Sequence, residues 1–419
     1  MTLPDPAYSF TIPSLHDDTP LDCRIYHPSE LAGSASSVED TWQKRGAIIA
    51  HPYAPLGGSY DDPIVSVVGQ EVLRQGFIVG TFNFRGAGAS HGRTSWSGKA
   101  ELADYISFAG CFIHYLHNLQ LSPSSYPETH KLQPIPSSSS RPLFLRHSSG
   151  PPPPDPPIKL ILGGYSYGSL ATTHIPATST LLQRFINAVP GTAAAEILLR
   201  ARVLAEQTST ELSASVAQRG RSFRRSRQSL TIGGEETPPD IRRRSRETSR
   251  RSLDVPRSLK VFGRKASDRS CTPSPADEAV EDEEHVKDVP DVSTAYLLVS
   301  PILPPTSTLI APSLAKASPG QQNITRRPTL IVYGDKDSFA SAKKMRKWVE
   351  ELKKEAGWLL WSTEVHEAGH FWREEGVEKE LRDAVREWAS AVASGSEGQR
   401  SMSVLLDRAD AVAAIAQVQ

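Results

Sequence analysis

The chain has 419 residues, and its 47 lysines and arginines balance 47 aspartates and glutamates. This balance argues against a protein held to nucleic acid by overall charge, and no stretch approaches the ~20 apolar residues that cross a bilayer. Cys23, Cys111 and Cys271 are too few and too far apart for a disulfide framework or a metal-ligand cluster. With no secretory signal at the first residues, we expect a cytoplasmic protein.

Short β-branched and aromatic runs alternate with helical patterns along the chain. The predicted strands are residues 8–12, 21–26, 46–51, 77–84, 158–163, 295–300, 329–333 and 362–367. The predicted helices are residues 64–75, 100–119, 341–354 and 377–393. This alternation of buried strands and helices predicts an α/β fold, with a mostly parallel sheet of about eight strands covered by helices on both faces.

Two segments of unusual composition interrupt this pattern. Residues 122–157 contain 11 prolines and 9 serines, a composition that predicts a disordered or polyproline insert. Residues 219–269 carry 16 basic side chains against 6 acidic ones, and residues 277–288 carry 7 acidic ones against a single lysine. We therefore predict a second insert over about residues 205–290. The remainder predicts one domain over residues 1–395, followed by a C-terminal tail at residues 396–419.

A candidate nucleophile follows the predicted strand at residues 158–163. The sequence there is Gly164-Tyr165-Ser166-Tyr167-Gly168, a G-x-S-x-G pattern. A sharp turn from strand to helix presents such a serine in a strained backbone conformation, and small residues on either side avoid clashes. In open parallel sheets the reactive site lies beyond the carboxyl ends of the strands. Ser166 is therefore the predicted nucleophile.

A serine nucleophile requires a base, and the base requires an orienting acid. Asp335 and Asp337 follow the predicted strand at residues 329–333, and His370 follows the strand at residues 362–367. The order Ser, Asp, His is the one that hydrolases with this elbow use. We predict Asp337 as the acid and His370 as the base, with Asp335 as a turn-capping residue. His366 is predicted to lie within the strand, on the sheet face.

The loop after the strand at residues 46–51 is the predicted second side of an oxyanion hole. One donor is the backbone N–H of Tyr167, the residue after the nucleophile. Pro52 has no N–H, but Tyr53 can donate through its backbone amide or through its phenol. His51, at the start of the same loop, is predicted to order the loop and not to take part in catalysis.

These motifs resemble those of the α/β-hydrolase superfamily over residues 8–392, apart from the two inserts. More narrowly, they are similar to dienelactone-hydrolase-like and Xaa-Pro dipeptidyl-peptidase-like hydrolases. In Xaa-Pro and cocaine-esterase-like members, a Pro-Tyr hydroxyl helps the oxyanion hole and a tyrosine follows the nucleophile, and Pro52-Tyr53 and Ser166-Tyr167 match both features. The resemblance implies Ser166 as nucleophile, His370 as base and Asp337 as its partner. No substantial helical lid is predicted over residues 302–326.

The sequence thus predicts a serine hydrolase that cleaves a small-molecule ester, thioester or amide without a metal or cofactor. The alternative is a non-catalytic scaffold with the α/β-hydrolase fold, whose basic segment binds an anionic partner. Arg-x-x-Ser spacings in that segment suit a basophilic kinase, and its arginines leave a nuclear location open. No specific nucleic-acid contact and no membrane span are predicted.

Overall fold

The computed structural model describes residues 2–33, 42–120, 157–228, 289–314 and 322–395. Its framework is an eight-stranded sheet. The strands are β1 (Tyr8–Pro13), β2 (Pro20–Tyr26), β3 (Arg45–Ala50), β4 (Ile78–Phe82), β5 (Ile158–Tyr165), β6 (Val292–Val299), β7 (Thr329–Gly334) and β8 (Leu360–Val365). The predicted insert at residues 122–157 lies outside the described residues, except for Pro157.

The strand order in the sheet is β1-β2-β4-β3-β5-β6-β7-β8. β2 pairs antiparallel with both β1 and β4, and the pairs from β4 to β8 are all parallel. The central strands are apolar throughout because helices cover both of their faces, as in β4, where every residue is buried. This order and direction of strands is the α/β-hydrolase fold, so the predicted fold class is confirmed.

Helices pack on both faces of the sheet. They are α1 (Ser29–Gly33), α2 (Pro63–Arg74), α3 (Lys99–Asn118), α4 (Tyr167–Thr172), α5 (Thr178–Ile186), α6 (Ala193–Gln228), α7 (Thr306–Ile310), α8 (Asn323–Arg326), α9 (Ala342–Ala356) and α10 (Val377–Ser394). α2 and α10 cover one face, and α3, α5, α6 and α9 contribute to the core on the other. The described part of residues 302–326 contains the helices α7 and α8, which are five and four residues long.

The predicted insert boundary near residue 205 falls inside α6. Ala205 and Thr208 are buried, and the Thr208 hydroxyl lies 2.9 Å from the hydroxyl of Tyr8 and 3.0 Å from that of Tyr115. The core domain therefore extends beyond residue 205, because this part of α6 packs on β1 and α3. Residue contacts divide the chain into two compact units. The first comprises Met1–Gln218 and Asp288–Gln419, and the second comprises Arg219–Lys287. Of the second unit, the structure describes the end of α6.

Within the described ranges, none of the helices is both long enough and apolar enough to cross a bilayer. The longest, α6, carries charged residues along its length, including the ion pairs of Arg200 with Glu196 and of Arg202 with Glu206.

Candidate active site

Ser166 lies on the sharp turn between β5 and α4. Its backbone has φ 56° and ψ −112°, a conformation that costs a non-glycine residue free energy and persists only when the surroundings impose it. The flanking glycines allow the turn. A Cβ at Gly164 would lie 2.2 Å from the carbonyl carbon of Gly168, and one at Gly168 would lie 2.3 Å from the carbonyl oxygen of Ala50. The G-x-S-x-G spacing is thus a steric requirement of this turn.

The three predicted catalytic side chains form one hydrogen-bonded chain. Ser166 Oγ lies 2.8 Å from His370 Nε2, and His370 Nδ1 lies 2.7 Å from Asp337 Oδ2. The second oxygen of Asp337 accepts the backbone N–H groups of Phe339 at 2.7 Å and Ala340 at 3.1 Å. The side chains of His370 and Asp337 are only 4% and 2% exposed. With Nδ1–H donated to the carboxylate, Nε2 is free to accept the serine proton.

The loop that carries His370 is fixed by contacts that the sequence reasoning missed. The hydroxyl of Tyr165 donates to the backbone carbonyl of His370 at 2.7 Å, and Trp372 Nε1–H donates to Ser300 Oγ at 3.0 Å. Burial raises the pKa of Tyr165, so its hydroxyl keeps the proton that it donates. In the sequence, this role is signalled by the position of Tyr165 directly before Ser166.

A second Asp–His pair lies beside the first, on the surface. β8 ends at Val365, so the prediction that His366 lies within the strand is wrong, and its side chain is 79% exposed. His366 Nδ1 lies 2.7 Å from Asp335 Oδ2, while the other oxygen of Asp335 accepts the N–H of Glu367 at 2.7 Å. Asp335 thus ties the ends of β7 and β8 together, and it is Asp337 that contacts His370.

The two predicted oxyanion residues lie side by side at the elbow. Tyr167 is the first residue of α4, where backbone N–H groups have no partner within the helix. The rings of Tyr53 and Tyr167 have centroids 5.2 Å apart. The Tyr53 carbonyl accepts the N–H groups of Leu56 and Gly58, which closes the loop into a tight turn. The Tyr167 hydroxyl is buried without a hydrogen-bond partner among the described residues.

His51 bridges two loops below this turn. Its Nε2 accepts the backbone N–H of Phe84 at 2.9 Å, so Nδ1 carries the proton and donates to the carbonyl of Pro52 at 2.6 Å. Burial lowers the pKa of His51 to about 4, which keeps the ring neutral and this tautomer in place. The geometry agrees with the prediction that His51 orders the loop, and it places both ring nitrogens out of reach of a reaction.

A pocket of about 250 Å³ opens above Ser166 and His370. Apolar side chains form much of its wall, namely Leu56, Ile302, Ile310, Phe339 and Phe371. Asp62 also lines the pocket, and burial raises the pKa of this carboxyl group although it accepts the N–H of Ile64. In the ranges that the structure describes, histidine, cysteine and acidic side chains do not gather in groups of three or more that could ligate a metal.

Comparisons with known proteins give similarity to solved structures alone. No protein-family model matches the chain, and neither does any curated protein. Similar structures include an α/β serine hydrolase homologue from Coxiella burnetii (13% identity, TM-score 0.41, covering 92% of this chain and 99% of that one). A serine hydrolase without a lid from Xanthomonas campestris has 14% identity, TM-score 0.41 and coverage of 93% and 95%. A Pyrococcus furiosus esterase has 11% identity, TM-score 0.39 and coverage of 91% and 89%.

Proposed function

We propose that this chain is a serine hydrolase that cleaves a carboxylic ester, a thioester or a small amide through an acyl-enzyme. One observation carries the proposal, the continuous hydrogen-bonded chain from Asp337 through His370 to Ser166 at the base of a pocket. A buried histidine that links a carboxylate to a serine hydroxyl on a strained turn is the arrangement that activates a serine for attack on a carbonyl.

The first half of the reaction forms the acyl-enzyme. Ser166 Oγ attacks the substrate carbonyl carbon while its proton passes to His370 Nε2, and Asp337 stabilises the imidazolium through Nδ1–H. The oxyanion that develops accepts hydrogen bonds from the backbone N–H of Tyr167 and from Tyr53. When the bond to the leaving group breaks, His370 returns the proton to the departing alcohol, thiol or amine.

The second half releases the acid. His370 takes a proton from a water molecule, whose oxygen attacks the acyl carbon, and the same donors hold the second oxyanion. The bond between the acyl carbon and Ser166 Oγ then breaks, and His370 gives its proton back to the serine. Every proton transfer runs through Nε2, so the proposal requires no cofactor.

The alternative is a scaffold whose basic segment binds an anionic partner. That segment, residues 219–269, lies largely outside the described residues, so its predicted kinase sites and partner stay predictions. The side chains of His370 and Asp337 are buried and aligned on Ser166. A scaffold would not need this alignment, and it therefore favours the hydrolase.

Labelling with a fluorophosphonate tests the proposal, because the reagent phosphonylates an activated serine. We expect the wild-type chain to be labelled and Ser166→Ala to be unlabelled, with hydrolysis of p-nitrophenyl acetate reduced about 10³-fold or more. The matched control is Ser341→Ala, an exposed serine before α9 whose side chain makes no capping bond. Thermal unfolding would verify that each variant is folded. Equal labelling of folded wild type and Ser166→Ala would refute the proposal.

A further inference from the structure

Two cavities meet at α7. The catalytic pocket is lined on this side by Ile302, Thr306 and Ile310. A second depression of about 400 Å³ is lined by Pro305, Thr306, Thr308 and Leu309. Because Thr306 lines both, the catalytic pocket and the second, mostly apolar depression adjoin at this residue of α7.

The mouth of the catalytic pocket exposes large apolar side chains. Leu56 is 69% exposed and Phe371 is 51% exposed, and both line the pocket itself. Leu309, in the adjoining depression, is also 69% exposed. Single exposed apolar residues are ordinary on a protein surface, but a cluster that borders a binding site indicates an apolar ligand.

We propose that the site acts on esters with an elongated apolar group, and that this group runs from Ser166 past Thr306 onto Leu309. The inference rests on the proposed function. A catalytic pocket of about 250 Å³ is below the 300–1,000 Å³ typical of sites that enclose drug-sized ligands. It accommodates the scissile group and a short chain, so a longer chain has to leave the pocket, and the adjoining depression lined by Thr306 and Leu309 gives it apolar contacts as it does so.

The charged side chains of the pocket do not compete for this path. Asp62 accepts the N–H of Ile64 at the start of α2, and Arg373 lies over the ring of Phe371, 5.4 Å from its centroid. The wall that leads towards Thr306 is instead formed by Ile302 and Ile310. The apolar chain can belong to the acyl group or to the alcohol, because both are attached to the carbonyl carbon that Ser166 attacks.

Two substrate series test the inference and separate these sources. One consists of p-nitrophenyl esters from acetate to decanoate, and the other of acetate esters from ethanol to octanol, followed by acid release. Each methylene that leaves water for an apolar contact is worth about a fourfold gain in kcat/KM. We expect kcat/KM to rise by about that factor per methylene in one series beyond four carbons, and the responding series identifies the side.

A surface variant then tests the path itself. Leu309→Ser is expected to lower the octanoate-to-acetate ratio of kcat/KM, or the octyl-to-ethyl ratio, by about 5- to 10-fold. The control is Leu199→Ser, a leucine of similar exposure on α6 that lines neither cavity, and it should leave both ratios unchanged. A flat or falling profile in both series, or ratios that Leu309→Ser does not change, would overturn the inference.

Failure of the inference and failure of the proposed function give different results. If acetate esters are hydrolysed in a Ser166-dependent manner but chain length has no effect, the proposed function stands and the path of the apolar chain onto Leu309 is rejected. If no ester is hydrolysed and the fluorophosphonate does not label Ser166, both are rejected together.

Discussion

At the scale of single residues, Asp337 contacts the histidine whose Nε2 lies beside Ser166 Oγ. Its carboxylate is held by two backbone N–H groups and faces His370, whereas Asp335, two residues earlier, faces the exposed His366. The loop after β7 thus presents successive carboxylates in different directions. One is buried beside the nucleophile and the other ties two strand ends at the surface, which makes them a natural pair for comparison.

We predict that Asp337→Asn lowers kcat on p-nitrophenyl acetate by about 10⁴-fold, because an amide no longer holds the histidine in the tautomer that accepts the serine proton. Asp335→Asn, the matched control, should leave kcat within about twofold. Steady-state kinetics with thermal unfolding of both variants would measure this. If the larger loss occurred at Asp335, the surface pair and not the buried one would be implicated.

In the proposed mechanism Tyr53 has two groups that can donate to the oxyanion, its amide and its phenol. Tyr53→Phe keeps the amide and the ring contact with Tyr167 but removes the hydroxyl. We expect kcat to fall by about 10²-fold, the usual effect of removing one oxyanion donor. Tyr333→Phe is the control, since that hydroxyl contacts Glu364 and does not line the pocket. An unchanged kcat in Tyr53→Phe would assign the donation to the backbone amide.

At the scale of elements, the strands could be predicted because each is a short apolar run, and the candidate site residues could be picked out because each lies on a loop that follows a strand. What the sequence did not reveal depends on contacts between loops. The bond from Tyr165 to the His370 carbonyl and the bridge made by His51 join segments that are far apart in the chain. No local pattern encodes such a contact.

α6 was missed for a different physical reason. Its buried side is formed by Ile197, Ala201, Ala205 and Thr208, whose spacing is helical but whose side chains beyond Ile197 are small or polar. The exposed surface of the helix mixes charged residues with Leu199 and Val203, so the apolar residues of α6 do not mark a single buried face. Small buried residues let a helix approach its neighbours closely without adding large apolar side chains, so a pattern of large apolar residues does not indicate this core contact.

We therefore predict different outcomes for two deletions at this helix. Replacing residues 219–287 with a flexible Gly/Ser linker of about 20 residues should leave the melting temperature within about 2 °C, because the buried side of α6 is kept. Replacing residues 205–290 removes Ala205 and Thr208 from the core and leaves the Tyr8 hydroxyl without Thr208 and Glu211, whereas the Tyr115 hydroxyl keeps His27 Nε2 at 2.8 Å.

The unsatisfied Tyr8 hydroxyl costs about 1–3 kcal/mol and the packing of Ala205 and Thr208 is lost as well, so the longer deletion should lower the melting temperature by roughly 10 °C or prevent folding. Calorimetry or circular dichroism on both variants would measure the difference. Equal stability of the two would show that the segment after residue 204 contributes nothing to the domain.

At the scale of the whole molecule, the neutral total charge conceals how the titratable groups are distributed. The basic block at residues 219–269 and the acidic block at residues 277–288 offset much of each other's charge. Within the described core, the groups that most bear on stability near neutral pH are histidines that burial keeps uncharged. Burial lowers the pKa of His27, His51 and His114 to about 4 in each case.

These three histidines predict that the fold is sensitive to mild acid. The unfolded chain protonates histidine near pH 6.5, whereas the folded chain does so near pH 4, so between these values the unfolded state binds more protons. The stabilisation is fully present above about pH 6.5 and is lost as the pH falls. The free energy of unfolding should drop by roughly 1 kcal/mol per pH unit for each histidine.

Urea unfolding at pH 7.5, 6.0 and 5.0 and constant ionic strength would measure this slope. His114→Leu should reduce it by about a third, because it removes one of the three protons together with a ring nitrogen that is buried without a partner among the described residues. The pKa of His114 is also lowered by the nearby His117, whereas Glu211 raises that of His27 and so moderates its contribution. A free energy of unfolding that stays constant from pH 7.5 to 5.0 would mean that the histidines are not buried as neutral groups. The hydrogen bonds assigned to a neutral His51, which order the loop of Tyr53, would then be wrong as well.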